Sequence, residues 1–134
     1  MKATSIWISK YRSVLDNGRG HSVVVDLPPE NNGDDTGPTA LELLPMALAG
    51  CITTIFSMVA EKRRLKYSGL RVDLEAKKGE KTIEEVKGVL TIKTSASKEN
   101  VETVLRLTME ICPVGILFEK AGVKPELEVK VEPE

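Results

Sequence analysis

The chain has 134 residues, 41% of them hydrophobic and 4% aromatic, with 19 Lys and Arg against 20 Asp and Glu. That length suits a single domain over residues 1–134 with one good core. A formal charge of −1 without a basic block, and so few aromatics, excludes a nucleic-acid footprint; two cysteines and the lone His21 fall short of a disulfide framework or a zinc quartet.

Residues 3–14, ATSIWISKYRSV, mix β-branched and aromatic residues with polar ones and predict a strand. A charge or polar group every few residues in MKATSIWISKYR is unlike a signal peptide, which points to the cytoplasm. Asp16-Asn17-Gly18-Arg19-Gly20 predicts a turn, because Asn-Gly favours positive φ, and HSVVVDL (21–27) predicts the returning strand. Pro28 to Pro38 is a loop by composition, long enough to line a site. Thr39-Ala40-Leu41-Glu42 fits a capping box, and Pro45 should kink the following helix or mark a short helix before it.

From Leu43 to Ala60 the chain runs eighteen residues without a charge, the length at which a membrane span has to be weighed. Ala, Gly, Ser, Thr and Pro fill much of the run and contribute little transfer free energy, so a central helix of a soluble domain accounts for it better than a span. Leu43, Leu44, Met46, Leu48, Ile52, Ile55, Phe56, Met58 and Val59 cover most of its circumference, more than one chain of this size readily buries. A second copy related by a two-fold axis could cover the remainder, predicting a homodimer with the central helices in its middle.

Ser68–Lys77 and Glu84–Thr94 alternate apolar and polar residues around Lys78-Gly79-Glu80-Lys81, an antiparallel pair. Ser97 can cap a second helix whose Val101, Val104, Leu105 and Thr108 share a face, and the same period carries Cys112 inward. Pro113 disrupts that helix, a short helix VGILFEKAG follows with Gly122 as its stop, and LEVKV (127–131) is a last strand. The order β-β-α-β-β-α-α-β is an α+β domain.

Cys51 lies within the apolar run, where burial disfavours the thiolate, so it is either packing or a nucleophile activated from elsewhere. Cys51 and Cys112, 61 positions apart, meet only if their helices pack together. A pair that meets can run a thiol redox cycle: one thiolate becomes a sulfenic acid and the second condenses with it. Attack needs a nearby cation, for which an arginine is suited because it stays charged and bonds a carboxylate bidentately. Arg12 in the first strand and Arg19 in the turn are candidates, with a solvated surface role as the alternative for each. Trp7 and Tyr11 are expected in the core or an interface, Met46 and Met58 as core filler, and His21 in a structural or surface role.

GPTALELLPMALAGC, followed some sixty residues later by ICPV, resembles the OsmC/Ohr family of osmotically inducible and organic-hydroperoxide-resistance proteins. The wording is closest to the OsmC-like branch, with its GPTP-x-E-LLLAALAGC pattern, and GHSVVVD before a Pro/Gly/Asp loop is similar to that branch too. The resemblance implies the OsmC-like fold, an intertwined homodimer with active sites at the subunit interface, and thiol-dependent reduction of organic hydroperoxides. It implies an external dithiol reductant and no metal or prosthetic group. By position, Cys51 matches the peroxidatic cysteine, Cys112 the resolving one, Arg12 the activating arginine and Glu42 the arginine-binding glutamate. This chain departs from the characterised members at Glu42, which precedes the cysteine by nine positions instead of ten. At about 100° per residue, nine steps place it roughly opposite Cys51 on an unbroken helix. ALAGC also replaces the GYxAC or HAAC wording, so a second reading is a non-catalytic dimeric protein holding a small or lipid-like ligand in the same fold.

Overall fold

The structure is a computed structural model that describes residues 1–134. The chain packs as two compact units, residues 1–44 and 45–134.

The first unit is an antiparallel sheet of β1 (Thr4–Ser9), β2 (Arg12–Asp16) and β3 (Ser22–Val25), in that order. The strand expected over 3–14 is thus two strands, joined by a tight turn at Lys10-Tyr11 that lets Ser9 face Arg12. Lys10 takes the left-handed region at φ 46°, and the Trp7 indole N–H donates to its carbonyl at 2.9 Å. The full order is β-β-β-α-β-β-α-α-β, within the same α+β class. The β2–β3 turn forms where Asn17-Gly18 places it: Gly18 and Gly20 have φ near +81° and +84°. Asn17 Oδ1 accepts from the amides of Arg19 and His21 at 2.9 and 3.3 Å. His21 is exposed and its Nδ1 lies 3.0 Å from Asn17 Nδ2, a brace for the turn.

No apolar side chain of this first unit is buried; its one buried residue is Asp26. Trp7 and Tyr11 are not in the core, being 69% and 53% exposed. Trp7 lies in β1 and Tyr11 in the turn after it, and nothing in this chain covers either ring.

Helix α1 (Leu43–Lys62) follows the capping box, in which Thr39 Oγ1 accepts from the Glu42 amide at 3.1 Å and Glu42 Oε1 from the Thr39 amide at 2.9 Å. Pro45 produces no kink, because it sits in the first turn of α1, where its missing N–H costs no helical bond. The second unit places α1 with a sheet of β4 (Gly69–Lys78), β5 (Ile83–Lys93) and β6 (Glu126–Glu132). β4 and β5 form the expected hairpin; β6 pairs parallel to β5, a connection made through α2 (Lys98–Ile111) and α3 (Pro113–Lys120). Leu48, Ile52 and Phe56 of α1, Val86, Leu90 and Ile92 of β5, and Val101 and Val104 of α2 form the core. By length and apolarity α1 alone would pass for a membrane span, yet these three of its side chains are fully buried within the fold. Met46 and Met58 are not core filler: they are 54% and 53% exposed on the side of α1 away from Leu48, Ile52 and Phe56.

Candidate active site

Cys51 sits on α1 beside the buried Ile52 and is itself partly accessible. Cys112 lies where α2 gives way to α3. A residue preceding proline disfavours the helical region, and Cys112 is accordingly extended at φ −66°, ψ 109°, closing one helix and capping the next. Its amide donates to the Thr108 carbonyl at 2.8 Å and its sulfur accepts from the Gly115 amide at 3.4 Å. A Cβ on Gly115 would meet that sulfur at 3.5 Å, an ordinary contact, and Met109 Cε more tightly at 3.2 Å. The helical period that turns Val101, Val104, Leu105 and Thr108 inward does the same to Cys112, which is completely buried.

The two sulfurs are 3.0 Å apart as free thiols, with the Cys112 S–H donating to Cys51. Burial, reinforced by the hydrogen bond to Cys51, pushes the Cys112 thiol up to about 11, with the Gly115 amide working in the opposite sense. Cys112 is therefore protonated at neutral pH, and the pair is asymmetric: an accessible acceptor sulfur on α1 and a buried donor behind it. Iodoacetamide at pH 8 should alkylate the native protein at Cys51, with Cys112 labelled only after denaturation. Peptide mass spectrometry reads the result, and prior labelling at Cys112 would overturn this asymmetry.

In the first unit Arg12 opens β2 and reaches the loop after β3. Its Nε donates to Thr36 Oγ1 at 2.9 Å and its Nη2 to Asp34 Oδ2 at 3.4 Å, while Asp26 Oδ2 stands 3.9 Å from Nε. Asp26 accepts from the Thr36 hydroxyl at 2.6 Å and from the amides of Leu27 and Thr36 at 2.7 and 3.1 Å. Glu42 Oε1 accepts from the Thr39 amide in the helix cap, and within the chain Arg12 is hydrogen-bonded to Thr36 and Asp34. Asp26 and Thr36 escaped the sequence reading. The signal was the Asp at the end of VVVD and the Thr in DDTGP, at the two ends of a loop long enough to line a site.

The hydrogen bond from Thr36, with the loop amides, holds the Asp26 carboxyl at about 2, below its ordinary 3.8, although burial opposes this. A depressed carboxyl stabilises the fold fully above its unfolded value. That contribution should fade as pH falls from about 3.8 towards about 2 and be absent below. Chemical denaturation of wild type and Asp26→Asn across pH 2–6 tests it: the gap between them should be widest at pH 6 and narrow on acidification.

Residues 33–128 match the family described as OsmC-like protein. Among curated proteins none is significantly similar in sequence. Among solved structures, the OsmC-like protein of Mycoplasma pneumoniae superposes with TM-score 0.86 at 14% identity, over 97% of this chain and 95% of that one. The organic hydroperoxide resistance protein OsmC of Legionella pneumophila, also described as a predicted redox protein, gives 0.76 at 16% identity over 97% of each chain. The organic hydroperoxide resistance protein OhrB of Bacillus subtilis gives 0.69 at 16% identity, over 97% of this chain and 98% of that one. At these identities the likeness is one of fold.

Proposed function

The chain belongs to the OsmC-like protein family, and on that premise we propose that it is a thiol-dependent peroxidase acting on organic hydroperoxides through Cys51 and Cys112. The observation that carries this reading is the pair of reduced sulfurs 3.0 Å apart, one accessible and one buried and protonated. The Cys51 thiolate attacks the distal oxygen of the hydroperoxide; the S–O bond forms as the O–O bond breaks, and the alkoxide leaves as the alcohol after taking a proton. Cys112 then attacks the Cys51 sulfenic acid, forming the disulfide and releasing water. Its sulfur needs to move only about 1 Å to reach disulfide length, about 2.05 Å. An external dithiol returns both thiols and leaves oxidised, a cycle that suits a reducing compartment such as the cytoplasm. For the fixed positive charge that would favour the Cys51 thiolate and polarise the peroxide we propose Arg12, on its match to the family's activating arginine.

The same reading includes a homodimer whose partner covers the exposed apolar residues of β1 and α1. A protein that only holds a small or lipid-like ligand in this fold needs no second thiol within bonding reach of the first, so the pair favours catalysis. Stopped-flow mixing with cumene hydroperoxide and with hydrogen peroxide, at matched dithiol, tests the proposal. Rapid consumption with preference for the organic peroxide is expected. Consumption no faster than by Cys51→Ser, together with a co-purifying ligand in native mass spectrometry, would shift the function to ligand binding.

A further inference from the structure

Arg12 is held within the first unit by a hydrogen-bonded chain that ends on a buried carboxylate. The Thr36 hydroxyl has a single proton, which it gives to Asp26 Oδ2 at 2.6 Å. Its lone pairs are thereby turned to the Arg12 Nε–H, 2.9 Å away. The polarity of the chain from guanidinium to hydroxyl to carboxylate is thus fixed at every step. Asp26 Oδ2 forms an ion pair with Nε at 3.9 Å but lies beyond hydrogen-bond range, so the hydrogen-bonded link that fixes their geometry is Thr36. The exposed Asp34 adds a longer contact at 3.4 Å to Nη2.

The carboxylate is well placed to be the fixed end. Asp26 is 3% exposed, its amide donates to the Pro38 carbonyl at 3.0 Å, and the Asp35 amide donates to the Leu27 carbonyl at 3.0 Å. The loop closes tightly on this anchor: a Cβ on Gly33 would collide with the Leu27 backbone, and one on Gly37 with the Val24 carbonyl. Nε and Nη2 are both engaged on the loop side, which leaves Nη1 without a partner among the hydrogen bonds of the chain.

We infer that Asp26 is the positioning residue for Arg12 and acts through the Thr36 hydroxyl, the 27–38 loop being folded to hold that relay in place. The inference rests on the peroxidase reading in so far as Arg12 serves Cys51.

Thr36→Val removes the hydroxyl with little change of shape, and Thr36→Ser keeps it. Two measurements separate the relay from the chemistry: proton exchange of the Arg12 Nε–H by NMR, and the rate of Cys51 alkylation by iodoacetamide at pH 7. Thr36→Val should speed Nε–H exchange at least tenfold and slow alkylation by about tenfold, with Thr36→Ser restoring both and Asp26→Asn resembling Thr36→Val. In an Arg12→Ala background, Thr36→Val should produce no further change in alkylation. If Thr36→Val leaves Nε–H exchange at the wild-type rate, the relay does not hold Arg12 and the inference fails while the peroxidase reading stands. If Arg12→Ala leaves Cys51 alkylation and peroxide turnover unchanged, the role of Arg12 in the peroxidase reading fails, and the positioning role with it.

Discussion

Cys51→Ser should lose peroxide reduction by roughly 10³-fold or more, because a serine hydroxyl is not ionised at neutral pH and nothing else in the pair can replace the nucleophile. Cys112→Ser should behave differently. Cys51 remains accessible and can still attack, so one equivalent of hydroperoxide per subunit is consumed in a burst. The sulfenic acid then has no thiol 3.0 Å away to condense with, and turnover stalls. A sulfenic-acid trap should label Cys51 in this variant and find little to label in the wild type under the same pulse. The serine at 112 can still accept from the Gly115 amide as the sulfur does, so the α2–α3 junction should survive, as circular dichroism would verify. Undiminished steady-state turnover by Cys112→Ser would remove Cys112 from the cycle. A burst retained by Cys51→Ser would move the nucleophile to Cys112, against its burial and raised thiol.

Why this site could be approached from sequence, and where that approach stopped, follows from the range of each signal. The capping box is written in four consecutive residues, Thr39 to Glu42, and both of its hydrogen bonds form. Cys112 faces inward because the 3.6-residue period of α2 carries it there, and the proline next in sequence ends that helix. These are local rules. The Lys10-Tyr11 turn carries no Gly, Asn or Pro, and a lysine at φ 46° is a position that tertiary pairing of β1 with β2 imposes. The partners of Arg12 are likewise not local: Thr36 and Asp34 lie 24 and 22 positions away and are brought to it by the closure of the loop on Asp26. In α1 the difficulty is different. Apolar residues on nearly all sides erase the amphipathic stripe, so the pattern could not say that Leu48, Ile52 and Phe56 would face the core of this chain and Met46 and Met58 would not.

Those outward residues lead to the largest expected effect on assembly. The first unit buries no apolar side chain, while Ile6, Trp7, Ile8 and Tyr11 are 59%, 69%, 48% and 53% exposed; Met46 and Met58 on α1 add 54% and 53%. Each large apolar side chain left in water forgoes about 1.5–3 kcal/mol relative to burial, and a segment of this size without a core is not stable alone. A second copy of the chain would supply the missing cover, and we expect an obligate homodimer of twice 14.7 kDa by sedimentation equilibrium at low micromolar concentration. Met58→Glu would place an unpaired carboxylate on the covered face, at a cost of about 3 kcal/mol or more, enough to weaken association by about a hundredfold. Trp7 is the only tryptophan and therefore reports its own environment. Its emission should be that of a buried indole in the wild-type dimer and shift to the red when Met58→Glu is diluted, in step with loss of mass and of the cooperative unfolding transition. A wild-type chain that stays monomeric, fully folded and red-emitting at these concentrations would refute the dimer. It would also require the apolar faces of β1 and α1 to be explained by some other partner.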